Sequence, residues 1–248
     1  MAGTAVLGRR LSWLVGTVTE VHDETPAART IVFDVPDWPG HVAGQHVDVR
    51  LTAPDGYSAV RSYSIANAPT ANRVEITVVR IDDGEVSPYL TQTVAQGDQL
   101  ELRGPIGGWF VWRPAQTEPV QLIAGGSGIV PLMAMIRTRA LAQSNAPFRL
   151  LYSVRNPESV LYAAELRECS RDVSITFAYT RTVPDGWPTP PGRIDAAAVA
   201  AHTWPANAAP QCYVCGPTPF VESAADLLRA AGQEPGSIKT ERFGPTGG

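Results

Sequence analysis

Lysine is nearly absent from this 248-residue sequence: Lys239 is the only one. Arginine therefore makes almost every cationic contact, and an anion bound by this chain meets a planar guanidinium fork rather than a mobile ammonium. Cysteine is scarce too. Cys169, Cys212 and Cys215 are too few for a disulfide framework, and their odd number points to a reducing compartment. No apolar run approaches the ~18 residues that a membrane helix needs. A strong charge of either sign is also missing: 20 basic and 24 acidic residues leave a net charge of -4, which argues against the basic footprint of a nucleic-acid binder. Arg9-Arg10-Leu11-Ser12-Trp13-Leu14 superficially resembles a twin-arginine export signal, but its apolar stretch stops after Val18. Glu20, His22, Asp23 and Glu24 follow with no small-residue cleavage site. The expectation is a cytoplasmic protein with neither a nucleic acid nor a membrane as partner.

Turns, by contrast, are plentiful. Glycine and proline number 22 each, well above their usual combined share of roughly 12%. With hydrophobic residues at 44% and charged residues at 18%, the composition is that of a globular chain with a β-rich portion. In the first half, β-rich segments at 13–21, 30–35, 46–51, 62–66, 73–81 and 99–103 are separated by breakers such as Asp37-Trp38-Pro39-Gly40 and Ala53-Pro54-Asp55-Gly56. This spacing predicts a six-stranded antiparallel β-barrel, with one helix at 87–94 before the sixth strand. The rhythm changes after a linker at 114–119. Strands at 120–124, 149–154, 173–180, 211–215 and 238–243 alternate with helices at 129–142, 159–168, 196–201 and 219–231. That alternation predicts a parallel-sheet α/β domain with helices on both faces. The two domains are expected at 1–115 and 116–248.

Two segments carry chemistry. Gly125-Gly126-Ser127-Gly128-Ile129-Val130-Pro131 follows a strand and opens a helix, so its free N–H groups can meet a diphosphate. The pattern is G-G-x-G-x-x-P, not the G-x-G-x-x-G dinucleotide fingerprint, and a merely tight strand–helix turn remains the alternative. In Arg61-Ser62-Tyr63-Ser64 a guanidinium, an aromatic ring and a hydroxyl share one strand, able respectively to fork onto phosphate, stack on a flat heterocycle and hydrogen-bond a ring nitrogen. A solvated barrel edge is the plainer reading of the same strand.

Together with Gly84-Glu85-Val86-Ser87, Gly104-Pro105-Ile106-Gly107, Cys215-Gly216-Pro217 and Glu241-Arg242-Phe243, these segments resemble the ferredoxin–NADP reductase superfamily, in order, from about Trp13 to Phe243. The resemblance implies a flavin-binding barrel followed by an NAD(P)-binding α/β domain. It implies that Arg61 binds the flavin phosphate, Tyr63 stacks on the isoalloxazine and Ser64 lies near flavin N5, with Gly84 and Ser87 holding the phosphates. FAD is favoured over FMN, because 104–110 resembles the loop of FAD-binding members and only one glycine, Gly84, precedes the helix serine.

The same resemblance places Gly125, Gly126, Gly128, Gly216 and Pro217 on the nicotinamide nucleotide, the Cys215 thiol beside nicotinamide C4, and Glu241 and Phe243 around the two rings. Phe243 departs from the family's usual tyrosine, and the chain continues through Gly244-Pro245-Thr246-Gly247-Gly248. Arg155 ends the second α/β strand, and Thr180-Arg181, ending the third, resembles the Ser-Arg pair that binds a 2′-phosphate. With no acidic residue there for a free 2′-hydroxyl, NADPH is favoured over NADH. Cys212 and Cys215 form a C-x-x-C pair, but on a strand they point to opposite faces and cannot share one ion, so no metal is expected. His22, His41, His46 and His202 read as structural or surface residues, and Asp82-Asp83 as a solvated turn.

The expected protein is thus an FAD-dependent reductase. It moves hydride from NADPH to FAD and then single electrons to a separate redox protein, whether ferredoxin, flavodoxin or oxygenase component. A fused [2Fe–2S] domain is not expected, since its C-x₄-C-x₂-C motif and the length to house it are both lacking. The alternatives are an NADH-dependent reductase component of a multicomponent oxygenase and a flavin-binding subunit or sensor without turnover. A monomer is expected.

Overall fold

A computed structural model describes residues 11–244, so Arg9, Arg10 and the tail from Pro245 lie outside the described residues. The first half folds into six antiparallel strands: β1 (Trp13–Thr25), β2 (Ala28–Asp34), β3 (His46–Thr52), β4 (Ser58–Ser64), β5 (Arg73–Val79) and β6 (Gln99–Ile106). They lie in the order β4-β3-β6-β1-β2-β5. Alternate residues turn inward, and Val18, Ile31, Phe33, Val47, Val49, Ile76 and Leu102 fill the interior. The short helix α1 (Ser87–Gln92) covers one end by burying Leu90. β4 and β5, the outer strands of the sheet, meet only at a bridge between Ile65 and Ile76. A seam therefore runs down the barrel beside β4.

The second half is a five-stranded parallel sheet, ordered β11-β10-β7-β8-β9. Its strands are β7 (Val120–Gly125), β8 (Phe148–Val154), β9 (Val173–Tyr179), β10 (Gln211–Pro217) and β11 (Ile238–Phe243). On one face, α2 (Ile129–Leu141) and α3 (Ala163–Cys169) pack through residues such as Leu132, Met135 and Leu166. On the other, α4 (Ala196–His202) and α5 (Thr218–Ala230) contribute Val199, Val221 and Leu228. Strand order reverses between β7 and β10, and in open parallel sheets that reversal opens a crevice at the carboxyl ends of the strands. Among the described residues no helix is long and apolar enough to cross a membrane.

Besides small shifts at other element ends, such as β6 running on to Ile106, three elements differ from the sequence reading in ways their contacts explain. β1 runs on to Thr25 because it closes a hairpin with β2 at Ala28. β4 begins at Ser58, four residues earlier than the alternation suggested, because Ser58 pairs with Thr52 across a tight turn. The expected helix at 159–168 starts only at Ala163: Pro157–Ser159 is a 3-10 turn, and Tyr162 adopts a left-handed conformation with φ 56°.

Tyr162 is held there by contacts with the barrel. Its N–H donates to Glu24 Oε2 (3.0 Å), whose Oε1 accepts from Thr30 (2.7 Å). Thr30 and Thr77 share a hydrogen bond of 2.7 Å, and the Tyr162 hydroxyl donates to Thr77. Beside this closed ring, Arg137 of α2 forks onto Glu165 (2.8 and 2.6 Å) and reaches Glu75 (3.2 Å) and the Ala66 carbonyl (2.9 Å) of the barrel. Removing the buried hydroxyl in Tyr162→Phe is expected to cost about 1–3 kcal/mol. Because Tyr162 and Thr77 share one network, the double variant Tyr162→Phe/Thr77→Val should lose less than the two single losses combined. Urea unfolding of the four proteins measures both quantities, and strict additivity would contradict the ring.

Candidate functional site

The seam beside β4 gathers the first group of polar side chains. Arg61 donates to Glu85 Oε2 at 3.1 Å and to the Val60 carbonyl at 2.8 Å, while the Tyr57 hydroxyl donates to the other Glu85 oxygen at 3.1 Å. The loop carrying Glu85 is closed by backbone and hydroxyl together. Gly84 N–H donates to the Ile81 carbonyl (2.8 Å), and Ile81 N–H donates to Ser87 Oγ (3.0 Å). A Cβ on Gly84 would stand 3.0 Å from both the Ile81 carbonyl and Ser87 Oγ, so the sharp turn leaves little room for a side chain. Tyr63, two residues along from Arg61, is half-buried against the barrel core, and burial raises its hydroxyl to about 12, keeping the ring neutral.

The second group lies at the sheet's switch point. Gly125 ends β7 and Gly216 sits near the end of β10. Gly126 takes φ +55° with open space above it, whereas a Cβ on Gly128 would overlap the Cys215 carbonyl. The Phe220 ring of α5 lies against both Gly125 and Gly216, so of these glycines Gly126, just before α2, is the one with open space over its backbone. Cys215 is fully buried among the α2-side residues, while Cys212 belongs to the α5-side core, so the two thiols stand on opposite faces. Burial, reinforced by the Glu241 carboxylate, pushes the Cys215 thiol well above its ordinary value.

These groups converge. Glu241 pairs with Cys215 across β10 and β11, and Ser64 of the barrel donates to Glu241 Oε1 at 3.3 Å. Burial raises the Glu241 carboxyl to about 7, against the opposing pull of the Ser64 hydroxyl. Of the sequence-predicted residues, Ser64, Cys215 and Glu241 thus come together, with Gly125, Gly126, Gly128, Gly216 and Pro217 beside them. Arg155 and Arg181 lie further along the same carboxyl edge, joined through Arg181 N–H to the Arg155 carbonyl at 2.9 Å. Both side chains are exposed and, among the described residues, neither makes an ion pair. Thr180 turns back through its N–H to Val154 at 2.8 Å. Phe243 pairs with Pro217 and packs against the α/β core.

The histidines divide. His41 is buried between the Trp38 indole (3.2 Å) and the Asn67 carbonyl (3.1 Å), a structural position. His46, read from sequence as structural or surface, stands opposite Ser64 in the β3–β4 register. Only strand register could have shown that, since nothing in the sequence near His46 has the form of a site. Among the described residues, no group of three or more His, Cys, Asp or Glu is placed to hold a metal ion.

A half-buried tyrosine at an open seam with an arginine beside it fits a flavin. The open backbone of Gly126 at the start of a helix fits a dinucleotide diphosphate. Fold and site together define a two-domain oxidoreductase. Comparison with known proteins agrees: the oxidoreductase FAD-binding domain model matches residues 16–111, and the oxidoreductase NAD-binding domain model matches residues 122–226. This chain belongs to the oxidoreductases that join an FAD-binding to an NAD-binding domain. It is 34% identical over 236 residues to the ferredoxin reductase component of 3-ketosteroid-9-alpha-monooxygenase from Mycolicibacterium smegmatis, covering 91% of this chain and 64% of that protein. It is 31% identical over 218 residues to NADH oxidoreductase HCR of Escherichia coli, covering 87% of this chain and 64% of that one. The chain therefore spans just under two thirds of these relatives' length. Among solved structures, it is similar to the flavohem-like FAD/NAD binding domain of nitric oxide dioxygenase from Vibrio cholerae. That match has a TM-score of 0.83 and 25% identity, and covers 94% of this chain and 99% of that one.

The raised Glu241 carboxyl has a stability signature. Its value in the fold, about 7, lies above the ordinary 4.5, so as pH rises the unfolded chain gives up this proton first. Stability from this group is therefore whole below pH 4.5, falls between there and about 7, and is flat above. Glu241→Gln should abolish that slope. Urea midpoints measured across this range would run parallel in the two proteins if the carboxyl were not raised.

Proposed function

We propose that this chain is a flavin-dependent reductase that moves hydride from NADPH to FAD, then single electrons to a separate redox protein. The acceptor is a ferredoxin, a flavodoxin or an oxygenase component. The observation that carries the reading is the meeting of Ser64 from the barrel with Glu241 and Cys215 from the α/β sheet, between an FAD-binding and an NAD-binding domain. The name of the M. smegmatis relative, a monooxygenase's ferredoxin reductase component, favours an oxygenase system as the acceptor. Residues 1–115 hold the flavin and 116–248 the nucleotide in this reading. Three unpaired cysteines suit work in the cytoplasm.

When bound, FAD supplies the exchange between an electron pair and single electrons, and the nicotinamide supplies the hydride. The chain's own residues bind and align. Arg61 turns its fork from Glu85 to the flavin phosphates, with Gly84 and Ser87 shaping the turn beside them. Tyr63 offers a neutral ring face, and Ser64 a hydroxyl at its edge. Glu241, poised near neutrality, accepts or returns a proton at Ser64 Oγ. The neutral Cys215 thiol and Phe243 close the nicotinamide side and exclude water. Gly125, Gly126, Gly128, Gly216 and Pro217 receive the dinucleotide's diphosphate, and Arg155, Thr180 and Arg181 its 2′-phosphate.

NADPH as donor rests on two exposed arginines at the strand ends, both without an acidic partner. The name of the E. coli relative, an NADH oxidoreductase, supports NADH as the second reading. Arg181→Ala decides between them: losing one charge-assisted contact should lower kcat/KM for NADPH by roughly 10- to 150-fold and leave NADH nearly untouched. An equal loss with both nucleotides, or a wild type that prefers NADH, would overturn the assignment.

Glu85 supplies a separate check on the flavin half. Its carboxylate occupies Arg61 from an exposed position, where an ion pair is worth about 0–1 kcal/mol. Glu85→Gln should therefore tighten FAD binding to the stripped protein by up to about 5-fold, with the gain shrinking in high salt. Unchanged or weaker binding in a fluorescence titration would place the phosphates away from Arg61.

A further inference from the structure

Ser64 has a second neighbour that the proposed roles leave unused. His46 is its partner in the β3–β4 register, and side chains of a directly opposed pair share one face of the sheet, with Cβ atoms ~4.5–5.5 Å apart. The imidazole is half-buried yet makes no side-chain hydrogen bond among the described residues. Neither ring nitrogen is sealed from solvent, so the imidazole is free to exchange water for a neighbouring hydroxyl. Its surroundings narrow the choice. Gly107 covers one side, where a Cβ would stand 3.6 Å from Nδ1. Ile106 lies opposite it on β6. Asp48, two residues along the same face, is already engaged by the Ser62 hydroxyl (2.6 Å) and by Arg103 (2.6 Å). The Ser64 hydroxyl is the polar group left beside it.

We propose that His46 is a positioning residue for Ser64, the second acceptor to which the Ser64 hydroxyl turns when Glu241 holds a proton. The inference rests on the reading of Ser64 and Glu241 as part of the flavin site. A hydroxyl has one hydrogen, and in this structure it is given to Glu241. A protonated Glu241 instead donates to Ser64 Oγ, and the hydroxyl hydrogen must then find another acceptor. His46 suits that role because burial holds its imidazole below the usual 6.5, against the opposing pull of Asp48, so it is neutral where Glu241 titrates. The charged group that acts on it is Asp48 on its own strand, and Arg103 of β6 holds that carboxylate. The link from His46 to Glu241 runs through Ser64.

The test has one readout on protein stripped of cofactor and one on the holoenzyme. Below pH 7, NMR titration of the His46 imidazole should show its pKa rising by roughly half a unit to one unit in Ser64→Ala, as the hydroxyl that favours the neutral ring is lost. In the holoenzyme, His46→Leu should slow flavin reduction about 3- to 10-fold below pH 7 and much less above it, with FAD content and nucleotide KM unchanged. His46→Gln, whose amide oxygen can accept from Ser64, should restore most of the rate. An unmoved imidazole titration, or a loss that is the same at every pH and is not rescued by glutamine, overturns the proposal. If Ser64→Ala itself leaves flavin reduction at the wild-type rate, the underlying reading of Ser64 falls as well. If Ser64→Ala slows reduction while both His46 readouts stay flat, only the role of His46 fails.

Discussion

Arg137 is the residue on which the two halves of the molecule close. Its guanidinium forks onto Glu165 within the α/β domain and, with its remaining donor, spans to Glu75 and the Ala66 carbonyl of the barrel. Taking an arginine out of water is expensive, and its attraction to two carboxylates offsets that cost without adding much net stability. What the arrangement supplies is a fixed relative placement. Tyr162 lies under the same guanidinium, 5.0 Å from ring centroid to charge, and locks into the Glu24–Thr30–Thr77 ring. Everything chemical depends on this placement, because Ser64 and Glu241 are 177 residues apart in sequence and belong to different domains. A domain rotation of a few degrees would part a 3.3 Å contact, and positional errors near one ångström are large on the scale of hydride or proton transfer.

Within the site, burial works in one direction on every acid. Glu241, Cys215 and Tyr63 are all shifted toward their neutral forms, and desolvation is the leading cause for each. Negative charge at the centre is thus reduced below neutrality, while the positive charge sits at the periphery on Arg61, Arg155 and Arg181. That division suits ligands whose phosphates lie at their far ends and whose reacting rings are flat and weakly charged.

Much of this was legible in the sequence. Breakers and alternation located every strand, and helix–strand alternation fixed the parallel sheet, because these depend on local side-chain periodicity. Glycines at 125, 126 and 128 marked a place where side chains have no room or no allowed conformation: Phe220 crowds Gly125, Gly126 takes φ +55° and the Cys215 carbonyl crowds Gly128. What escaped was non-local. The delayed start of α3 follows from Tyr162 being drawn into a hydrogen-bond ring with the other domain, and no pattern within 157–169 encodes that. The Arg61–Glu85 pair and the opposition of His46 to Ser64 arise from pairings between segments that sequence inspection treats separately. Phe243 was legible as an aromatic at the right place, but its packing against the α/β core comes from the β10–β11 register.

β11 has a temporal meaning as well as a spatial one. It is an edge strand, the last one described along the chain, and it pairs in parallel with β10 only after the α5 crossover has formed. During synthesis the barrel, with its own apolar interior and all six of its strands before residue 107, is complete long before Glu241 leaves the ribosome. The carboxylate that joins the two halves of the site is therefore added after the barrel is made. A nascent chain can hold a folded barrel while the paired centre does not yet exist, so the competence of the site reports that both halves have folded.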